Sequence, residues 1–370
     1  MKFLIVASYA ESIKNFSSEL LDEIEKIGFS IHVVIPNYEN AELKKYFLKK
    51  TSWVTHFYEL QRRGTNLLND FKTIIQLKSI ILKVKPDIIF SFTIKPVIYS
   101  NIMGYLLNIR KRYAFITGVG YLFYENNNSI LSSFIKNFYR ISLNCTTTVI
   151  FQNKDDISTF YSQKVISKKT QIKQVNGSGV NINYFKETPI PNKINFLMIA
   201  RLLVSKGVRE YAAAAEKIKK MDIDAEFFLA GWFDEGPDSI SKEELNRWKK
   251  QNTITYHGEL TDVRPLISSC SIYVLPSYRE GTPRTVLEAM SMGRPIITTN
   301  VPGCRETVIN NYNGFLVERN NTDSLVSAMQ KFISKPEMIQ NMGRNSRSIA
   351  ESKYDVNLVN EQLLSAMDLA

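Results

Sequence analysis

Apolar residues along this chain fall into two alternating patterns, short unbroken runs and longer stretches with a period near 3.6. FLIVAS at 3–8 and IHVVI at 31–35 are short and apolar, as expected of buried parallel strands. Between them Phe16, Leu20, Ile24 and Ile27 recur at helical spacing, and Gly28 is placed to end that helix. This predicts one βαβ unit. DIIFSFTI at 87–94 follows a helical stretch closed by Pro86, and CTTTVIFQN at 145–153 continues the alternation. The first lobe is predicted to be α/β and doubly wound.

A second start follows TPIPN at 188–192, a proline-bearing stretch suited to a linker between domains. NFLMIAR at 195–201, AEFFLAG at 225–231, TITYH at 253–257, SIYVLP at 271–276 and RPIITT at 294–299 read as strands. Helical patterns lie among them in YAAAAEKIKK, SKEELNRWKK and TPRTVLEAMSMG, and Ser241 and Glu244 have the spacing of a capping box. Residues 356–370 read as a terminal helix.

Length and composition agree with two folded domains. A chain of 370 residues suits two cores better than one, and 44% hydrophobic with 22% charged residues is a globular composition. The cysteines, Cys145, Cys270 and Cys304, are far apart and lack a C-x-x-C spacing, so neither a disulfide framework nor a zinc site is expected, and a reducing cytosol fits. The apolar start MKFLIVAS is too short for a signal peptide, and no run of about 18 apolar residues predicts a membrane span. Any membrane contact is then peripheral.

Charge changes the picture only when it is located. Residues 1–185 hold 24 Lys+Arg against 13 Asp+Glu, a surplus of 11, whereas residues 186–370 hold 23 against 23. Clusters such as Lys44, Lys45, Lys49 and Lys50, Arg62 and Arg63, and Arg110, Lys111 and Arg112 are candidates to face an anionic bilayer. There each base contributes about 1 kcal/mol. No nucleic-acid-binding motif accompanies the charge, so nucleic acid is not an expected partner.

In open parallel sheets, ligands bind outside the carboxyl ends of the strands. Four such places converge on one crevice: Arg201 and Lys206 after 195–201, Gly231 after 225–231, SYREGTPRTVLEAM after 271–276 and VPGCRE after 294–299. Two cations there suit a diphosphate leaving group, with charge-assisted hydrogen bonds of about 1.5–3 kcal/mol each, and would act in place of a metal. Gly281, Thr282 and Pro283 lead into a helix whose N-terminus suits a phosphate or sugar oxygen. Glu280 precedes that helix and Glu288 lies within it, placed to accept sugar and ribose hydroxyls.

SYREGTPRTVLEAMSMGRPIITTNVPGCRETV, together with ARLLVSKG and NGFLV, closely resembles the C-terminal half of retaining GT-B glycosyltransferases. These belong to the large bacterial family that builds lipopolysaccharide, capsule and glycan chains. FSFTIKPVIYS and FITGVGYLF resemble a subgroup acting on undecaprenyl-diphosphate-linked saccharides, including enzymes that add N-acetylgalactosamine. The resemblance implies two Rossmann-like, doubly wound domains facing a central cleft. Residues 1–187 would bind the acceptor, 188–355 the nucleotide sugar, and the helix 356–370 would pack back on the first domain. It also implies roles for residues: Arg201 and Lys206 hold the donor diphosphate, Glu280 and the amides of Gly281 to Pro283 the sugar, and Glu288 the ribose. Gly231 joins the donor site, with Arg201, Lys206 and Glu280 the catalytic set. Lys95, Gly118, Val119 and Gly120 would face acceptor or cleft. The co-substrate is a UDP-sugar, no further cofactor or metal is expected, and the enzyme would sit on the cytoplasmic face of the plasma membrane.

Three features depart from the pattern or imitate another. Many relatives carry a histidine near the reacting sugar, but His32, His56 and His257 lie in neither TIKPV nor TGVGY. Asp222-Ile223-Asp224 imitates a metal-binding D-x-D, yet precedes its strand and so reads as a turn at the amino end of the sheet. Gly118-Val119-Gly120 lacks the third glycine and the acidic residue of a dinucleotide fingerprint, and reads as a close-approach loop. A nicotinamide-dependent oxidoreductase would share the fold, but G-x-G-x-x-G is missing after residue 8. A catalytically idle sugar-nucleotide binder in a polysaccharide assembly complex is the other alternative, and a two-carboxylate hydrolase is disfavoured because Glu280 and Glu288 have binding roles.

Overall fold

The buried apolar runs become strands. In the computed structural model, which describes every residue except 39, 62–65, 120–129, 235 and 370, the first seven are β1 (Lys2–Val6), β2 (Ser30–Pro36), β3 (Val54–Tyr58), β4 (Ile88–Phe92), β5 (Lys111–Ile116), β6 (Thr148–Phe151) and β7 (Ile172–Gln174). They pair in parallel in the order β3-β2-β1-β4-β5-β6-β7. The connecting helices are α1 (Ala10–Phe16), α2 (Ser18–Lys26), α3 (Ala41–Lys49), α4 (Leu67–Val84), α5 (Ile94–Leu106), α6 (Ile130–Asn144) and α7 (Lys154–Ser162). The single helix expected before Gly28 is two, because Ser17 leaves helical geometry at φ −134°.

Side chains alternate across each strand, and β1 shows how that builds two layers. Phe3 and Ile5 pack with Ile13, Leu21 and Phe47 of α1, α2 and α3. Leu4 and Val6 pack on the other side with Leu77 and Ile81 of α4, and Val97, Tyr139 and Leu143 carry that second layer on through α5 and α6.

A second parallel sheet contains β8 (Asn195–Ile199), β9 (Glu226–Ala230), β10 (Thr255–Tyr256), β11 (Ile272–Leu275), β12 (Ile296–Thr299) and β13 (Gly314–Val317), ordered β10-β9-β8-β11-β12-β13. Its helices are α8 (Val208–Lys219), α9 (Lys242–Lys250), α10 (Arg264–Ser268), α11 (Arg284–Ser291), α12 (Thr322–Ser334) and α13 (Glu337–Lys353). The capping box at α9 forms in full: the Ser241 hydroxyl accepts from the Glu244 amide, and the Glu244 carboxylate accepts from the Ser241 amide.

The chain divides into Met1–Ser178 with Val359–Ala370, and Gly179–Leu358. Residues 179–187, grouped above with the first domain, therefore belong with the second. Val180 pairs with the backbone of Tyr354 and Val356, and Phe185 enters the second core. The stretch at 188–192 is not a free linker either. The fully buried guanidinium of Arg294 donates to the carbonyls of Thr188 and Pro189, fastening them to the second unit. The last helix, α14 (Val356–Ala366), sends Val359, Leu363 and Ala366 into the first core, and Met367 beyond it accepts a hydrogen bond from the Tyr113 hydroxyl at 2.6 Å.

Candidate functional site

Parallel sheets open a crevice where the connections change direction. In the second unit this is between β8 and β11, and both loops there carry predicted residues. Gly207, with φ +78°, brings the first loop in: a Cβ at that position would lie 2.2 Å from the carbonyl oxygen of Pro276 at the end of β11. The Tyr278 amide then donates to the Ser205 carbonyl at 2.8 Å, tying the two loops together.

Across this junction Lys206 Nζ donates to Glu280 Oε1 at 2.5 Å, with the two side chains only 19% and 12% exposed. Arg201 Nη1 donates to Asp234 Oδ2 at 2.8 Å from the loop after β9. Two cations and two carboxylates thus stand at one sheet edge in matched pairs. An arriving diphosphate would compete with Asp234 and Glu280 for Arg201 and Lys206, and the same carboxylates keep those cations compensated in its absence.

The glycines and the proline around Glu280 set its position. The Glu280 amide donates to the Pro302 carbonyl at 3.1 Å, and a Cβ on Gly303 would come within 2.2 Å of the Glu280 carbonyl oxygen. Gly281, Thr282 and Pro283 run directly into α11, with Pro283 as its N-cap. One expectation is corrected here: Pro283 has no N–H, so only the amides of Gly281 and Thr282 are available from that tripeptide. Glu288, one turn into α11, is largely buried and ion-paired with Arg284 at 3.2 Å. Burial pushes its carboxyl above the usual range, with Arg284 pulling the other way.

Gly231 lies at the carboxyl end of β9 with φ +140°. Its amide donates to Gly258 and its carbonyl accepts from the Tyr256 hydroxyl. In this structure it is a point of backbone contact between strands.

The first-unit residues fare unevenly. The β1 and β4 ends meet through Thr93, whose hydroxyl donates to that of Ser8 at 3.0 Å. Lys95 is held by Asp70 at 2.7 Å and by the Gln61 carbonyl, so its charge is spent within the unit. Val119 is a correction: at 2% exposed it lies not in the cleft but in the core among β5, β6, α5 and α6. Gly118 has φ +130°, and Gly120 lies outside the described residues. Asp222, also with positive φ, turns the chain before β9 at the amino edge of the sheet. Asp234 and Asp238 were not anticipated. Asp238 accepts from the amide and hydroxyl of Ser205. Neither aspartate stands in a recurrent spacing, so only the folded loop brings Asp234 to Arg201 and Asp238 to Ser205.

Comparison with known proteins decides the family. A family model described as "Glycosyl transferases group 1" matches residues 181–349, and one described as "Glycosyl transferase 4-like" matches residues 6–153. The chain belongs to the GT-B glycosyltransferases. This glycosyltransferase is 25% identical to the N,N'-diacetylbacillosaminyl-diphospho-undecaprenol alpha-1,3-N-acetylgalactosaminyltransferase of Campylobacter jejuni, over 100% of this chain and 98% of the relative. It is 25% identical to the UDP-Gal:alpha-D-GlcNAc-diphosphoundecaprenol alpha-1,3-galactosyltransferase of Escherichia coli, over 80% of this chain and 78% of the relative. Among solved structures it shares its fold with sucrose-phosphate synthase from Thermosynechococcus elongatus, with a TM-score of 0.80, 16% identity and coverage of 99% and 98% of the two chains. HepE of Anabaena, solved with UDP, aligns at a TM-score of 0.75 with 16% identity over 100% of both chains.

Proposed function

We propose that this glycosyltransferase moves a hexose or N-acetylhexosamine, with N-acetylgalactosamine among the candidates, from a UDP-sugar to an undecaprenyl-diphosphate-linked saccharide. The reaction retains the anomeric configuration and needs no metal. The observation that carries this reading is the Lys206–Glu280 bridge at the second switch point, with Arg201–Asp234 beside it. Two cations poised at a sheet edge are suited to the charge that gathers on a departing diphosphate, and stabilisation that grows in the transition state raises the rate. The names of the Campylobacter and Escherichia relatives support a lipid-linked acceptor, and the latter supports a UDP-sugar.

In the proposed step the bond from the anomeric carbon to the β-phosphate oxygen breaks as the acceptor oxygen bonds to that carbon on the same face. The acceptor's proton passes to the departing phosphate oxygen, while Arg201 and Lys206 hold the charge. Glu280 orients sugar hydroxyls and Glu288 accepts from the ribose. The acceptor stays in the inner face of the plasma membrane, and the basic first unit reaches it there; among the described residues no helix is long and apolar enough to cross a membrane.

Transfer from a panel of radiolabelled UDP-sugars to membrane lipid extract tests this, with EDTA present and the anomeric configuration of the product read by NMR. Turnover is expected to survive chelation with retention, and Lys206→Ala to cost about 100-fold in kcat, as when one donor to a developing negative charge is lost. Loss of turnover restored only by magnesium or manganese, or an inverted product, overturns the mechanism. UDP binding with no transfer would mark an idle binder, and dependence on a nicotinamide an oxidoreductase.

A further inference from the structure

The excess positive charge of the first unit is sorted by face. Helices α1, α2 and α3, on one side of the sheet, carry five bases against six acids. Helices α4, α5, α6 and α7, on the other, carry seven bases against three acids. Of these acids Asp70 is already paired with Lys95, and Asp156 is buried and accepts from the Asn153 side-chain amide.

The same side leaves large apolar side chains uncovered. On α4, Leu68, Phe71, Ile75 and Leu82 are all exposed, Leu68 at 81%, although the opposite side of that helix is already buried through Leu77, Ile81 and Val84. On α6, Phe134, Phe138 and Ile141 follow one another at helical spacing and are 52%, 40% and 51% exposed, while Tyr139 and Leu143 fill the core. Among the described residues neither outward stripe is taken up by packing within the unit. The bases are interleaved with them: Lys72, Lys78 and Lys83 on α4, Lys136 and Arg140 on α6. Of these Lys72 pairs with Glu59. Helix α5 packs between α4 and α6, so the two stripes share one layer.

We infer that the outer face of α4 to α6 is the surface by which this protein lies on an anionic lipid bilayer, its apolar side chains entering the interface and its bases meeting the headgroups. Exposed apolar stripes rimmed by Lys and Arg fit a bilayer interface. The proposal rests on the membrane-borne acceptor of the preceding section and names the face that meets it. In a parallel sheet the helices start at the carboxyl ends of the strands, so Leu68, Phe71 and Phe134 lie toward the edge where Ser8 and Thr93 meet. A bilayer held there keeps an acceptor headgroup beside that edge. The lysine cluster of α3 does not share this face: its helix packs with α1 on the opposite side of the sheet. Lys50 is moreover bound to Asp22 at 2.5 Å.

The test uses the full chain and vesicles of phosphatidylglycerol and phosphatidylcholine in equal parts, scored by co-sedimentation, with thermal midpoints checked for every variant. The pairs Phe134→Ser with Phe138→Ser, and Phe71→Ser with Ile75→Ser, change only exposed side chains. Each is expected to weaken vesicle binding at least tenfold, and Lys44→Gln, Lys45→Gln and Lys49→Gln together to leave it within twofold. Raising salt should weaken binding without abolishing it, because part of the contact is apolar. Transfer to a short-chain, water-soluble acceptor should be unchanged in both serine pairs. Loss of binding in the α3 variant but not in the serine pairs overturns the assignment. So does a concentration-dependent dimer that the serine pairs dissolve, which would make this face a contact between copies. Vesicle binding is read without donor or acceptor, so failure of the proposed transfer reaction leaves this result standing by itself.

Discussion

Glu288 shows how one residue changes meaning between chain and fold. In the sequence it is a second glutamate near a helix start; in the structure it is a mostly buried carboxyl beside Arg284, raised above its usual value of 4.5. Ionised, its carboxylate accepts through both oxygens, as two ribose hydroxyls need; protonated, one of those oxygens becomes a donor. Its raised pKa means that protonation on acidification sets in at a higher pH than for an exposed glutamate, so UDP affinity is expected to fall before the pH reaches 4.5. Glu288→Gln should bind UDP more weakly at neutral pH and show little of that pH dependence. The sign for stability is the reverse: a carboxyl that keeps its proton more tightly when folded contributes fully below its unfolded pKa and loses that contribution as pH rises through the folded one. Calorimetric UDP titrations across this range check the first claim, and parallel pH profiles for wild type and Glu288→Gln would falsify it. Arg201, Lys206 and Glu280 were legible as candidates from their place after strands. That Lys206 and Glu280 form one unit was not, because they stand 74 positions apart and only the β8–β11 pairing brings them together.

At the scale of elements, strands buried on both faces were the easiest to read, since a short, unbroken apolar run bounded by turn residues suits a strand covered on both sides and little else. β3, β5, β7 and β13 went unpredicted. β5 opens with Lys111 and Arg112, and the Arg112 guanidinium satisfies itself on the carbonyls of Ile109 and Cys145. A charge cluster assigned to the surface is thus partly the start of a strand. The strand ends account for Gly231 in turn. A Cβ there would sit 1.8 Å from the carbonyl oxygen of Ala200, and its φ of +140° is itself hostile to a side chain. Gly231→Ala is expected to destabilise the second unit by about 3 kcal/mol, at the upper end of ordinary substitutions. It should also disturb the Arg201 loop, whose next residue, Leu202, donates from its amide to Trp232. Denaturant unfolding measures this, and a cost below about 0.5 kcal/mol, within surface-substitution range, would show that β8 and β9 can part without loss.

For the whole molecule, the chain leaves the first unit at Ser178 and returns to it at Val359. Val359, Leu363 and Met367 are fully or nearly fully buried there, and burying each such side chain is worth roughly 1.5–3 kcal/mol. Removing residues 359–370 is therefore expected to cost the first unit about 5 kcal/mol or more, comparable to the stability of a typical domain. Hydrogen exchange should show the first sheet losing protection while the second keeps it; equal protection of the first sheet in both forms would contradict this. The amino-acid sequence by itself determined two doubly wound halves, the family, and the residue types at the second crevice, because each follows from local periodicity or a contiguous motif. It also determined that the positive charge belongs to the first half, since that is a sum along the chain. Only the tertiary structure decided that Asp234 and Glu280 hold the two cations, that Val119 is core, and that the bases and the uncovered apolar side chains share one face. Those are relations between residues distant in sequence, and they exist only once parallel strand pairing has set which segments are neighbours and which way each side chain points.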